Sequence, residues 1–135
     1  MAVFEDSTLV DFDADTALAS AREAGGDTIH LCVEYTAEEF HTLYADETTM
    51  ALYADDRGEM ESHFEEVHSY VHIDFTEKDL FSEIFRAAGE VRSFVTFMDN
   101  AAFVRILVGT EGLFVSADPD ADVTAIIEAA ESALD

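Results

Sequence analysis

The chain has 135 residues, and 49% of them are hydrophobic, so it is long enough for one domain with its own core and too apolar for a disordered chain. It has 31 acidic residues and only six lysines and arginines, which gives a formal net charge of −25. This charge excludes direct nucleic-acid binding, because no basic patch can neutralise phosphates. No apolar run reaches the roughly 20 residues of a membrane span, and the start does not resemble a secretory signal. We therefore predict a single cytoplasmic domain over residues 1–135, without membrane insertion.

The acidic residues are spread through every segment instead of forming a tail, and Lys78 is the only lysine. A charge of −25 on so small a domain makes the folded chain repel itself at ordinary ionic strength. Molar salt screens this repulsion, because the Debye length falls to about 3 Å. The composition therefore predicts the salt-saturated cytoplasm of an extreme halophile. An acidic mimic of nucleic acid is the alternative, and it would need its carboxylates in rows on one face.

The N-terminal segment allows two interpretations. Residues 8–12 form either a short edge strand or an irregular lead-in that docks its apolar side chains on the body of the domain. A helix then starts from an aspartate cap, Asp13 or Asp15, and ends at the glycine pair 25–26.

Two strands are predicted next, over residues 28–35 and 40–44, joined by a four-residue loop. Alternation in the first strand predicts two faces, one with Ile29, Leu31, Val33 and Tyr35 and the other with His30, Cys32 and Glu34. A helix over 37–44 is the alternative, since Thr36 and Glu39 form a capping-box pair. The aromatic residues of 40–44 keep the alternation of a strand, which favours the hairpin.

From residue 46 to 89 the spacing is helical. A helical turn over 48–53 precedes a longer helix that starts from an aspartate at 55 or 56 and breaks near 73–74; a further helix begins at Thr76. The predicted inward residues of the longer helix are Met60, Phe64, Val67 and Val71. The predicted buried stripe of the helix after Thr76 is Leu80, Phe81, Ile84 and Phe85.

Three strands, over 91–98, 102–108 and 113–117, form a meander with tight turns between them. Because the first of these strands is apolar on both faces, we predict that it is a central strand covered on both sides. A final helix begins at the Asp118-Pro119 pair, a cap followed by proline at the first helical position. Its inward face is Val123, Ile126, Ile127, Ala130 and Leu134.

These elements predict an α+β fold: a five-stranded antiparallel sheet, made of a two-strand hairpin plus a three-strand meander, with helices on both faces. The element order is similar to that of roadblock/profilin-like domains. The stretch 28–117 also resembles a family of small uncharacterised haloarchaeal proteins. That resemblance is carried by the segments 32–35, 43–46 and 112–116, and it implies no known activity.

The strongest candidate for chemistry is a set of four residues at spacings of four, three and four, Glu61, Glu65, His68 and His72. On one continuous helix they share a stripe, and Glu-x-x-His and His-x-x-x-His are spacings that helical metal sites use. The hypothesis is a zinc or other divalent metal site. The alternative is a solvated flank in which glutamates pair with imidazoles one turn away.

No catalytic residue is assigned, because His30 and Cys32 stand roughly 7 Å apart along a strand and no glycine-rich oxyanion turn accompanies them. We predict a non-catalytic interaction or regulatory module without a cofactor beyond the candidate metal. An open sheet whose edges lack lysine or proline guards invites pairing, so the predicted partner is a protein, a second copy of this chain included. The alternatives are a metal-dependent enzyme on the Glu/His stripe and a small-molecule sensor with its pocket between the helical block and the sheet.

Overall fold

A six-stranded antiparallel sheet runs through the computed structural model, which describes residues 2–134. Its spatial order is β1-β3-β2-β6-β5-β4, so the hairpin and the meander join where β2 pairs with β6. The strands are β1 (Val3–Phe4), β2 (Ile29–Thr36), β3 (Phe40–Ala45), β4 (Ser93–Phe97), β5 (Ala102–Val108) and β6 (Glu111–Ala117). The predicted α+β class, the hairpin and the meander are confirmed.

Among residues 2–134, five α-helices cover the two faces of this sheet. They are α1 (Ala14–Gly25), α2 (Glu47–Ala51), α3 (Arg57–His68), α4 (His72–Ile84) and α5 (Val123–Ser132). Helices α1 and α5 pack against each other and bury a continuous core against one face. On the other face, Met50 of α2 and Met60 of α3 pack on Leu31 and Val33 of β2.

Aspartate side chains start four of the five helices by accepting a backbone N–H of the first turn. These caps are Asp13 for α1, Asp46 for α2, Asp56 for α3 and Asp122 for α5. The predicted start of the last helix at Asp118-Pro119 is wrong, because the cap that receives the N–H of Ala125 is Asp122. Part of the acidity of the chain therefore has a local structural use.

The sheet has a sixth strand, β1, which the sequence pattern did not predict. Val3 is buried and pairs with Ala45, and Phe4 pairs with Tyr44. The guanidinium of Arg22 lies over the Phe4 and Tyr44 rings, at 5.3 and 4.3 Å from their centroids. A strand of two residues has no period to detect, so no sequence pattern could reveal it. Residues 8–12 are not a strand, which confirms the irregular lead-in.

A bulge in β2 moves Ile29 to the face opposite the predicted one. In the pairing with β6, Ile29 lies opposite Ala117 while Leu31 lies opposite Ser116, so one extra residue is accommodated in β2. Ile29 therefore packs with Cys32 in the core beneath α1 and α5, whereas Leu31 and Val33 point to the other side. Leu31, Val33 and Tyr35 share a face as predicted, but the placement of Ile29 with them is wrong because a bulge breaks strict alternation.

The outer helices also differ from the prediction. Helix α3 ends at His68, a turn occupies 69–71, and α4 already begins at His72 instead of Thr76. The stripe predicted to be buried is 42–60% exposed (Leu80, Phe81, Ile84 and Phe85). Strand β4, predicted to be central, lies at the edge of the sheet.

The carboxylate of Glu34 holds the N-terminal lead-in against the middle of the sheet. It is fully buried and accepts hydrogen bonds from His41 Nδ1, Ser7 Oγ and the backbone N–H groups of residues 8–10, at 2.6–3.3 Å. Burial alone would raise the pKa of Glu34, but these donors outweigh it and hold the pKa below its usual range. His41 also bonds Glu5 through Nε2 at 2.9 Å.

Replacing Glu34 with glutamine should lower the free energy of unfolding by about 1–3 kcal/mol, because an amide cannot satisfy the same set of buried donors. Urea unfolding in molar salt measures the loss, and Glu38→Gln, in the exposed hairpin loop, is the matched control. Since the folded pKa of Glu34 is lowered, its contribution is present above the unfolded pKa and is lost as the pH falls through the folded pKa. Equal stability of the two variants at neutral pH would contradict the anchoring role.

Candidate functional site

A half-open cavity of about 710 Å³ lies between the sheet and helices α2, α3 and α4. Its floor is formed by side chains that point away from α1 and α5: Leu31, Val33, Phe103 and Phe114. Its roof includes Tyr53, Phe64, Val67 and Val71. Pockets that bind small molecules are typically about 300–1,000 Å³ and mostly apolar, and this cavity fits both descriptions.

An ion pair attaches α4 to the sheet at the wall of the cavity. Asp74 is 6% exposed, accepts a hydrogen bond from Arg105 Nη1 and another from the Tyr35 hydroxyl at 2.9 Å. Arg105 Nη2 also donates to Thr96 Oγ1 at 3.2 Å, and its guanidinium lies 5.3 Å from the centroid of the Phe94 ring. Burial, together with the Asp74 carboxylate, raises the pKa of Tyr35, so the phenol stays protonated and donates. The charges in this cluster compensate each other.

A second polar cluster joins the ends of three strands. His30 Nδ1 lies 2.5 Å from Asp46 Oδ2, and His30 Nε2 lies 2.7 Å from Asp118 Oδ1. Asp46 directly follows β3 and Asp118 directly follows β6, the two neighbours of β2. Partial burial alone would lower the pKa of His30, but the two carboxylates outweigh it and raise the pKa. Both ring nitrogens can donate only in the imidazolium form, which this arrangement therefore favours.

The four residues of the predicted metal stripe do not share one helix. Glu61 and Glu65 lie on α3, where Glu61 Oε1 is 3.7 Å from Arg57 Nε and Glu65 is exposed. His68 ends α3 and bonds the Thr36 carbonyl through Nε2 at 2.8 Å. His72 begins α4, so the continuous stripe is wrong because the chain turns between the two histidines. Within residues 2–134, no three His, Cys, Asp or Glu side chains are grouped to hold a metal ion.

Cys32 is fully buried in the core beneath α1 and α5. Burial, aided by the nearby Glu34 carboxylate, raises the pKa of its thiol far above the ordinary value. A thiol that stays protonated is a poor nucleophile. The geometry therefore supports a structural role for this cysteine, in keeping with the absence of any catalytic assignment.

The polar residues that sequence reasoning missed are Asp46, Asp74 and Asp118. Asp118 directly follows one predicted strand and Asp46 follows another after a single residue, and this position was their only signal. Their convergence on His30 depends on β3 and β6 both pairing with β2, and a single sequence does not show this pairing.

A broad apolar surface remains exposed at the β4 edge. We call it the α4–β4 surface, and its residues are Leu80, Phe81, Ile84, Phe85, Val95, Phe97 and Met98, which are 37–64% exposed. The rings of Phe81 and Phe85 stack with centroids 5.8 Å apart, and Phe81 also contacts Phe94 of β4 edge-on at 6.4 Å. These side chains flank the β4 edge on both faces of the sheet, because the α4 residues lie on one side and Val95 and Phe97 lie on the side of α1 and α5. Exposed apolar residues grouped along an edge are typical of interaction sites.

The stabilisation from His30 should depend on pH with a defined sign. Its pKa is raised in the folded state, so the contribution is fully present below the unfolded pKa of about 6.5 and is lost as the pH rises through the folded value. We expect the destabilisation caused by His30→Gln to be largest in mildly acidic buffer and to shrink at alkaline pH. Urea titrations across this range measure it, with exposed His72→Gln as control. A destabilisation that grows with pH would contradict the pairing.

The fold of this chain is similar to that of a solved structure. A crystal structure of a Roadblock/LC7 domain from Streptomyces avermitilis is similar, with a TM-score of 0.51 and 13% sequence identity. The similarity covers 86% of this chain and 87% of that one, and it confirms the roadblock-like arrangement at the level of the fold. None of the curated proteins matches the chain. Among residues 2–134, every helix is too short or too polar to cross a membrane.

The sequence profile of a protein family matches residues 15–135. That family is described as a domain of unknown function, DUF7522. The profile leaves out residues 1–14, the segment that includes β1 and the lead-in bound by Glu34. Because the match covers nearly the whole chain, the protein belongs to the DUF7522 family.

Proposed function

We propose that this chain is a non-catalytic, single-domain interaction module that forms a homodimer through the α4–β4 surface in the cytoplasm of an extreme halophile. One observation carries the proposal: β4 has the two-sided apolar pattern of a central strand, yet it lies at the edge of the sheet. A second copy beside β4 would give this strand the covered position that its sequence predicts.

The register of β4 shows which side chains a partner would cover. Val95 and Phe97 lie opposite Val104 and Ala102, on the face that α1 and α5 occupy. Phe94 lies opposite Arg105, on the face of α4. Among residues 2–134, no strand pairs with the outer edge of β4. Antiparallel pairing of two such edges about a two-fold axis would satisfy the backbone groups of both.

Charge favours a second copy at this position despite the net charge of −25. Residues 93–98 contain no charged side chain, although 31 of the 135 residues are acidic. Two copies can therefore bring these strands together without placing like charges opposite each other. The strand also lacks the lysine and proline residues that commonly protect edges.

The fold and the buried polar side chains also support the assignment as a small interaction domain. The similarity to a Roadblock/LC7 domain supports a regulatory or interaction role. The buried Cys32 thiol, the Glu34 carboxylate and the Asp74 carboxylate are all used in packing or pairing. This supports the non-catalytic assignment over an enzyme on the Glu/His stripe.

Sedimentation in molar salt tests the dimer. We expect the mass of two chains for the wild type and of one chain for Phe97→Glu, because each interface would then bury carboxylates without partners. Leu52→Glu is the matched control: Leu52 is 77% exposed but lies outside the α4–β4 surface, so this variant should remain dimeric. A monomeric wild type, or a dimeric Phe97→Glu, would rule out this interface.

The salt requirement follows from the charge of −25. On dialysis from molar to about 0.1 M salt the Debye length grows from about 3 to about 10 Å, and repulsion among the carboxylates is no longer screened. We expect the far-ultraviolet circular dichroism of the folded protein to be lost and to return when salt is restored. A spectrum unchanged by the dialysis would contradict the halophilic assignment.

A further inference from the structure

We propose that the cavity beneath α3 and α4 binds an uncharged, largely apolar molecule with one hydroxyl group, such as a phenol or a hydrophobic alcohol. The cavity is separate from the α4–β4 surface, and it would give the interaction module a small-molecule input. The size of the cavity, the pairing of its charges and the position of one histidine support a ligand of this class.

The walls favour an apolar ligand. Leu31, Val33, Phe103 and Phe114 form the floor, and Phe64 and Val71 face them from the helices. The volume of about 710 Å³ exceeds what a few ordered waters occupy, and aliphatic and aromatic walls offer water few hydrogen bonds. Transfer of an apolar body into this space removes its surface from water, which is favourable by about 25 cal/mol per Å².

Within residues 2–134, each charged group around the cavity has a partner of opposite charge, although Arg105 Nε itself makes no hydrogen bond, and this pairing argues against an ionic ligand. Asp74 is bound to Arg105, and His30 lies between Asp46 and Asp118. An anion would enter without an unpaired cation to receive it and against a net charge of −25. A cation would lose its hydration without gaining an unpaired carboxylate in the wall.

His68 supplies the polar contact. Its Nε2 donates to the Thr36 carbonyl at 2.8 Å, so in the neutral ring Nδ1 is an acceptor. No residue among 2–134 makes a hydrogen bond with that Nδ1. The ring lines the cavity beside Phe40, with the centroids 5.4 Å apart. An acceptor in a mostly apolar wall favours a ligand that carries a hydroxyl donor.

Three naphthalene probes of similar size test the proposal by calorimetry in molar salt at about pH 8, where free histidine is neutral. We expect 2-naphthol to bind about three- to tenfold more tightly than 2-methoxynaphthalene, which keeps the oxygen but lacks the donor. The anion 2-naphthoate should bind most weakly. Equal affinities for 2-naphthol and 2-methoxynaphthalene, tightest binding of 2-naphthoate, or no saturable binding of 2-naphthol would overturn the proposal.

Two variants locate the binding. His68→Phe should bind both neutral probes but lose the preference for 2-naphthol. The ratio of the two affinities is the readout, because it does not depend on the fraction of the variant that is folded. Val71→Trp, at the half-buried turn between α3 and α4, should weaken both neutral probes at least tenfold by filling the cavity. Unchanged binding by Val71→Trp would show that the probes lie elsewhere. A change in its sedimentation mass would instead identify a second copy of the chain as the occupant, and would equally overturn the proposal.

Discussion

The position of β2 between β3 and β6 is the constraint on which the rest of the molecule depends. This strand joins the hairpin to the meander, and three polar clusters each use one of its residues. His30 bonds the aspartates that follow the two neighbouring strands, β3 and β6. Glu34 binds the N-terminal lead-in, and the Tyr35 hydroxyl donates to Asp74 of α4. Alternating residues of β2 serve both faces of the sheet, and the bulge near His30 turns Ile29 towards α1 and α5 while Leu31 faces the cavity.

The two faces of the sheet are covered in different ways, and this asymmetry produces the candidate sites. On one face, fully buried small residues such as Ala17 and Ala21 let α1 lie close to α5 and leave a filled core. On the other face, α3 and α4 bury only Met60 and Asp74 fully, so the large apolar side chains between helix and sheet enclose a space instead of filling it. The same loose coverage leaves the stripe of α4 exposed beside β4. The exposed α4–β4 surface and the cavity thus arise from one feature of the packing.

The acidity of the chain has two physical roles. Some carboxylates stabilise local structure: four aspartates cap helices, and one of them, Asp46, also pairs with His30. With only six basic residues against 31 acidic ones, most of the remaining carboxylates have no cation to pair with. Their mutual repulsion can be balanced only by the solvent, through screening at high ionic strength. The stretch 93–98 differs from this background because it contains no charged side chain, and it is the edge used by the proposed dimer.

The sequence by itself determined the α+β class, the hairpin, the meander, the helices on both faces and the aspartate starts of α1 and α3, because periodicity, turn residues and caps act over a few neighbouring residues. It also singled out His68, although as a metal ligand on a stripe that the turn at 69–71 breaks. Only the tertiary structure decided that β1 joins the sheet, that β4 is an edge, that the bulge turns Ile29 to the inner core, and that Asp46 and Asp118 meet at His30. Each of these depends on which strands pair and which faces remain covered. Such contacts join residues as far apart as 30 and 118, and no local pattern records them.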